Sequence, residues 1–267
     1  MNSSTKNLPT IGFIGTGTLT TALVTGFCSR AAEKPYPIVL SPRNREKAAA
    51  LQAEFPDRVK VAETFQEVAD KSDWLVLAVL PSVGEEVCRG IKFRPTHKVI
   101  NMLADRSLQE IRSWIGPTEV LVHMVPVTYN AVFSGPIIQT PPQAEAAEIF
   151  ADIGSMVQVE ERQQAAVLAA ITACVAPYFT LLSTLIKWAS SQGVPEELAA
   201  DYVKKFFQGL TEQAIRSGNQ SVHELAAEFT PGGTNFMVKE MLTEQGVFAA
   251  WARAMEPVLA RLTANFS

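Results

Sequence analysis

The chain has 267 residues, 47% of them hydrophobic and 19% charged, with a formal net charge of −4. That apolar fraction can fill a sizeable core and excludes a disordered chain, and at about 150 residues per domain the length allows one or two domains. Basic and acidic residues are interspersed without a Lys/Arg block, so no nucleic-acid partner is expected. Cys28, Cys88 and Cys174 lie far apart and are odd in number, which reads as a reducing compartment with no disulfide framework. Residues Met1 to Thr10 are polar and do not read as a secretory signal. Ala165 to Ile186 carries no charge and is long enough to span a bilayer. Its alanines, together with Thr172, Pro177, Thr180, Ser183 and Thr184, favour instead a buried central helix of a soluble, cytoplasmic protein with no membrane partner.

In chain order, Thr10–Ile14 reads as a strand, Thr18–Ala32 as a helix and Pro37–Leu40 as a strand. A helix at Asn44–Phe55, a strand at Val59–Val61, a helix at Glu63–Ala69 and the apolar run Trp74–Val79 follow. Then come Ser82–Ile91 as helix, Lys98–Met102 as strand, Leu108–Trp114 as helix and Glu119–Met124 as strand. Ala131–Gln139 and Met156–Val159 are candidate edge strands around a helix at Gln143–Asp152. Near-continuous apolar runs separated by helices predict a doubly wound α/β domain with a parallel sheet, over residues 1–160. From residue 161 to 267 only helical periodicity continues, with Pro177 expected to kink the long apolar helix. Breaks fall at Gly193-Val194-Pro195, Ser217-Gly218-Asn219 and Thr230-Pro231-Gly232-Gly233. A helix too apolar for so small a domain predicts an all-α second domain that dimerises.

The strongest local signal is Gly12-Phe13-Ile14-Gly15-Thr16-Gly17-Thr18-Leu19-Thr20, where a first strand turns into a first helix. Gly15 allows the tight turn, and Gly17 lets backbone approach a pyrophosphate at the helix N-terminus. Thr20 stands where a third glycine or alanine is usual. A glycine turn alone also joins strands to helices without a ligand, but the strand–turn–helix context favours a dinucleotide. The second strand ends in Leu40-Ser41-Pro42-Arg43-Asn44-Arg45, with no acid before Glu46 to accept from a ribose 2′-hydroxyl. A hydroxyl, an amide and two guanidiniums suit a 2′-phosphate, so NADP(H) is the expected cofactor.

With these residues in view, the chain resembles the pyrroline-5-carboxylate reductase family along nearly its whole length. Gly12-Phe13-Ile14-Gly15-Thr16-Gly17-Thr18-Leu19 resembles that family's first glycine turn, and Ser41 to Lys47 its NADP-phosphate loop. Ala78-Val79-Leu80-Pro81 is similar to its fourth-strand end, which borders the cofactor. The most specific match is Thr230-Pro231-Gly232-Gly233-Thr234, followed by a helix and Glu244-Gln245-Gly246-Val247-Phe248. It resembles the family's substrate-binding segment at the subunit interface. The resemblance implies a Rossmann domain, an intertwined helical dimerisation domain, and NAD(P)H-dependent reduction of a cyclic imine to proline. It also implies a homodimer or a higher assembly of dimers. His97, His123 and His223 share no metal-ligand spacing, so no metal is expected.

Cofactor contacts are expected from Gly12, Gly15, Gly17, Thr18, Leu19, Ser41, Arg43, Asn44, Arg45, Val79, Leu80 and Pro81. Thr230, Gly232 and Gly233 are expected to bind substrate, with Thr234 and Asn235 in the reaction itself. Backbone groups at Gly232, Gly233 and Thr234 suit a carboxylate at a helix start. The family pattern is altered in this half. Val127 replaces an amide, Thr172 to Tyr178 lacks two glycines, and Leu182 to Leu185 offers no glutamate. Asn235 stands where a hydroxyl is usual. Two other readings therefore stand beside the proline-forming one: an NADP-dependent reductase of a different imine or carbonyl, and a non-catalytic NADP-binding protein.

His97 and His223 are expected to be inert. His123, at a strand end facing the crevice, is read as packed rather than catalytic, and Tyr129 and Tyr178 are weak candidates for proton donors. Cys88 and Cys174 read as small buried thiols.

Overall fold

The computed structural model describes residues 8–29, 34–103, 105–218, 221–228 and 230–264. The elements run β1 (Ile11–Ile14), α1 (Thr18–Ser29), β2 (Ile38–Leu40), α2 (Arg45–Glu54), β3 (Val59–Val61), α3 (Phe65–Asp70) and β4 (Trp74–Leu77). They continue with α4 (Pro81–Arg89), β5 (Lys98–Asn101), α5 (Leu108–Ile115), β6 (Val120–Val125), β7 (Pro136–Thr140), α6 (Ala144–Phe150) and β8 (Ser155–Gln158). The last three residues expected in the first helix, and Asn219 of one expected break, lie outside the described residues.

Eight strands form one sheet in the order β3-β2-β1-β4-β5-β6-β7-β8. All neighbours are parallel except β6 and β7, which are antiparallel. Strand period explains the continuous apolar runs. Ile11, Phe13, Ile38, Leu40, Trp74 and Val76 pack on one face, with Leu23, Phe27 and Phe150. Ile14, Val39, Leu75, Leu77, Val99 and Leu121 pack on the other, with Val68, Cys88 and Ile111. Local chemistry starts the helices: the Thr64 side chain accepts from the Glu67 amide, and Ser107 forms a reciprocal capping box with Glu110. The expected strand Ala131–Gln139 is corrected. Thr128–Val132 is a 3-10 turn, Phe133 and Gly135 take left-handed φ of 59° and 88°, and the strand begins at Pro136.

The remaining elements are helices: α7 (Arg162–Ile171), a 3-10 turn (Thr172–Cys174), α8 (Val175–Ser191), α9 (Glu196–Arg216), α10 (Val222–Ala227), α11 (Thr234–Glu244) and α12 (Val247–Thr263). Pro177 acts one turn before itself. It has no N–H for the carbonyl four residues back, and that residue, Ala173, sits in the 3-10 break. The chain divides into two compact units, with Ile171–Val258 as the second. The boundary thus falls ten residues after the expected 160/161, and α7 as far as Ala170 and the end of α12 from Leu259 belong to the first unit.

The helical run Arg162–Ser191 is long and apolar enough to cross a membrane, and within this one chain most of it is not buried. The expectation of a buried central helix is corrected to that extent. In the second unit large apolar side chains on several helices are uncovered, among them Phe179, Trp188, Tyr202, Ile215 and Phe248. A groove between α8 and α9 is lined by Leu185, Trp188, Leu198, Tyr202 and Phe206. Exposed apolar area on this scale marks an interaction surface.

Candidate cofactor and substrate sites

The first unit builds a turn at the carboxyl end of β1, beside β4, the neighbour at which strand order reverses. Gly15 has φ 110°, and a Cβ there would lie 2.5 Å from the Ala78 carbonyl oxygen. A side chain at Gly17 would meet no atom within 4 Å, so that glycine leaves the approach to the backbone open. Thr20 is fully buried, and its hydroxyl donates to the Gly15 carbonyl at 2.8 Å. The residue that departs from the glycine pattern therefore closes the turn internally. With α1 starting at Thr18, the amides of its first turn lack intrahelical acceptors, and no acidic residue sits among them. Such a terminus suits an anion.

Two of the expected cofactor residues serve the scaffold instead. Gly12 lies under α3, where a Cβ would collide with the Ser72 hydroxyl, so it is a packing glycine. Ser41 is fully buried, accepts from the Gly15 amide at 2.9 Å, and takes the Thr16 hydroxyl on its carbonyl at 3.0 Å. Its hydroxyl ties the end of β2 to the glycine turn and does not face outward.

Beyond Ser41 the chain opens. Asn44 is left-handed at φ 65° and places no side-chain cap on α2. Arg43 and Arg45 border a recess with Pro42, Glu63, Phe65, Val83, Glu86 and Val87. Neither guanidinium has an ion-pair partner among the described residues. Val79 is buried, Leu80 is exposed, and Pro81 begins α4.

Burial favours the neutral form of both buried histidines. The His123 Nδ1 lies 3.2 Å from the Asn101 amide nitrogen, and the Asn101 carbonyl oxygen accepts from the Leu103 amide. That order makes Asn101 the donor and leaves the His123 proton on Nε2. Burial first, then the Arg162 charge, pushes the His123 pKa down to about 4, in keeping with a packed residue. His97 is fully buried; its Nδ1 accepts from the Arg94 amide and its Nε2 meets the Ala69 carbonyl. Burial raises Cys28 to about 11 and Cys88 to about 12, so neither is a nucleophile. Val127 is buried, and its amide donates to the Asn130 side chain at 2.7 Å.

In the second unit Thr230 to Gly233 forms a turn closed by the Gly233 amide donating to the Thr230 carbonyl at 3.0 Å. Pro231 and Gly232, the latter at φ 80°, are the central pair such a turn requires. Gly233 is the N-cap of α11. Its amide is committed to the turn, which corrects the expectation that it would hold a carboxylate. The amides open to an anion are those of Thr234, Asn235 and Phe236, next along the helix start.

This sheet order and the glycine turn at the switch point define a Rossmann-type dinucleotide-binding domain, followed by a helical second unit. Residues 10–105 match the family model described as NADP oxidoreductase coenzyme F420-dependent, which makes the first domain one of the NADP-dependent kind. Residues 161–264 match the model for pyrroline-5-carboxylate reductase dimerisation. Pyrroline-5-carboxylate reductase 2 of Bacillus subtilis is 26% identical over 234 residues, covering 84% of this chain and 83% of that protein. Among solved structures, 1-pyrroline-5-carboxylate reductase of Streptococcus pyogenes superposes with TM-score 0.82 at 20% identity, over 97% of this chain and 99% of that one. The Plasmodium falciparum pyrroline carboxylate reductase with NADP bound gives TM-score 0.82 at 19% identity, over 97% and 98%. Together the two family models and these relatives support membership of the pyrroline-5-carboxylate reductase family.

Proposed function

We propose that the chain is an NADPH-dependent reductase of a cyclic imine, acting on pyrroline-5-carboxylate to give proline. One observation carries this reading: a single chain holds both an acid-free, arginine-bearing loop beside a glycine turn and a Pro-Gly-Gly turn that opens a helix. The residues fit NADP(H). Gly17, Thr18 and Leu19 would take the pyrophosphate on backbone amides, and Arg43, Asn44 and Arg45 the 2′-phosphate. Phe65, Val83 and Val87 give the neighbouring recess apolar walls for the adenosine. Val79, Leu80 and Pro81 would border the cofactor along the end of β4.

When bound, the cofactor supplies a hydride. The chain's own task is to hold a carboxylated imine and stabilise its charge. Thr234, Asn235 and Phe236 amides would hold the carboxylate, with Gly232 setting the turn that presents them. The Thr230 hydroxyl or the Asn235 carboxamide would contact the ring nitrogen, whose protonation readies the imine carbon to accept hydride. The uncovered helices of the second unit would be buried in a homodimer of a cytoplasmic enzyme.

Asn235 and Val127 favour one second reading, a reductase of a different imine. The test is NADPH consumption with pyrroline-5-carboxylate and with an uncarboxylated cyclic imine. Turnover of the first with proline formed supports the proposal. Turnover of the second alone replaces it, and turnover of neither leaves the non-catalytic reading.

A further inference from the structure

The Lys47 ammonium on α2 donates to the Thr18 hydroxyl at 3.1 Å. This places a cation at the first residue of α1, the end where helix dipoles already concentrate positive charge. No carboxylate lies within ion-pair distance of it among the described residues, and no acid occupies that first turn. Three other threonines of this segment turn their hydroxyls inward. Thr16 donates to the Ser41 carbonyl, Thr20 to Gly15 and Thr21 to Gly17. Thr18 alone accepts from a charged side chain.

We infer that Lys47 is a further cofactor-binding residue that meets the pyrophosphate rather than the 2′-phosphate, a reading that rests on the NADPH assignment above. A cation beside the positive end of a helix is unfavourable by itself and becomes favourable once an anion lies across both. Lysine suits the place as a compact charge with three donors, of which one is held by Thr18. A hydroxyl that accepts from an ammonium keeps its own proton to give, so Thr18 can bridge Lys47 to a phosphate oxygen. The Arg43 and Arg45 guanidiniums, in contrast, border the recess lined by Phe65, Val83 and Val87, of which Lys47 is not a lining residue.

The two sites differ in which dinucleotide they sense. Pyrophosphate is common to NADH and NADPH, whereas the 2′-phosphate belongs to NADPH alone. The experiment measures dissociation constants of both for the full chain and for Lys47→Met and Arg43→Ala, with thermal unfolding of each as a check on folding. Lys47→Met is expected to weaken NADH and NADPH by the same factor, about tenfold or more, as for loss of one charge-assisted bond. Arg43→Ala is expected to weaken NADPH only. Lys47→Arg, which keeps the charge, should recover part of the loss. A Lys47→Met protein that folds normally and binds both as before, or loses NADPH alone, overturns the inference. An unmodified chain that binds neither dinucleotide overturns the NADPH reading itself.

Discussion

At the scale of single residues, three groups around the glycine turn do three different things. Gly12, Gly15 and Ser41 all stand in the right segment, yet Gly15 turns the chain, Gly12 makes room for Ser72, and Ser41 faces inward. Sequence spacing names the segment; which side of the backbone a group faces depends on contacts with residues far along the chain. Gly233 shows the same limit, because its amide is taken by a turn whose closure no residue type announces. Asn235 is the residue whose identity matters most for the substrate. A carboxamide donates and accepts, but it is bulkier than threonine and does not readily give up a proton. The unmodified protein is therefore expected to turn over pyrroline-5-carboxylate with kcat/KM below about 10⁴ M⁻¹ s⁻¹, and Asn235→Thr to raise that value. Steady-state NADPH oxidation checks both, and ordinary efficiency in the unmodified protein would contradict the argument.

Among the elements, strands were the most legible, because both faces of a parallel sheet are buried and the apolar runs are unbroken. Val59–Val61 is found at its expected bounds, and the others except β7 differ by one or two residues at their ends. The segment after β6 was not legible: its apolar composition fits a strand, but the side chain of Asn130 organises Val127 to Gly135 into a turn. The glycine turn allows a sharp test at this scale. Gly15→Ala places a methyl against the Ala78 carbonyl at a φ that side chains rarely adopt. Movement of that turn also breaks its tie to Ser41. NADPH affinity is expected to fall at least tenfold while the helical second unit keeps its circular dichroism, a split that titration and spectroscopy read separately.

For the whole molecule, two buried histidines set a pH response. His97 and His123 are both held below the ordinary histidine value, first by burial. Below about pH 6.5 the unfolded chain takes up protons that the folded chain refuses. Their stability contribution is thus complete above pH 6.5 and is lost as pH falls toward about 4, the His123 value. The loss should be about 1.4 kcal/mol per pH unit for each histidine still neutral in the fold. Urea unfolding at pH 7.5 and 5.5 checks this, and His123→Gln should flatten the dependence. Glu67 and Glu110 have lowered values and act only at lower pH, near and below the usual carboxylate range. Assembly is the second property at this scale. The uncovered helix surfaces call for a dimer burying well over about 2,000 Å². Light scattering should give a mass of two chains or more at micromolar concentration, and Leu181→Glu should yield insoluble or unfolded protein.

The turn around Asn130 separates what can vary from what cannot. Asn130 is fully buried; Gly26 and Gly154 leave room for it, and its amide spans Val127, Ser134 and Gly135. Val132 and Phe133 on the same turn are 69% and 42% exposed. Natural drift or a directed library can therefore exchange the outward Val132 side chain while the mount beneath it keeps its shape, whereas Phe133 is restricted by its left-handed φ of 59°. A change at Asn130 or at either glycine would have to be accompanied by repacking of α1 and of the lead-in to β8.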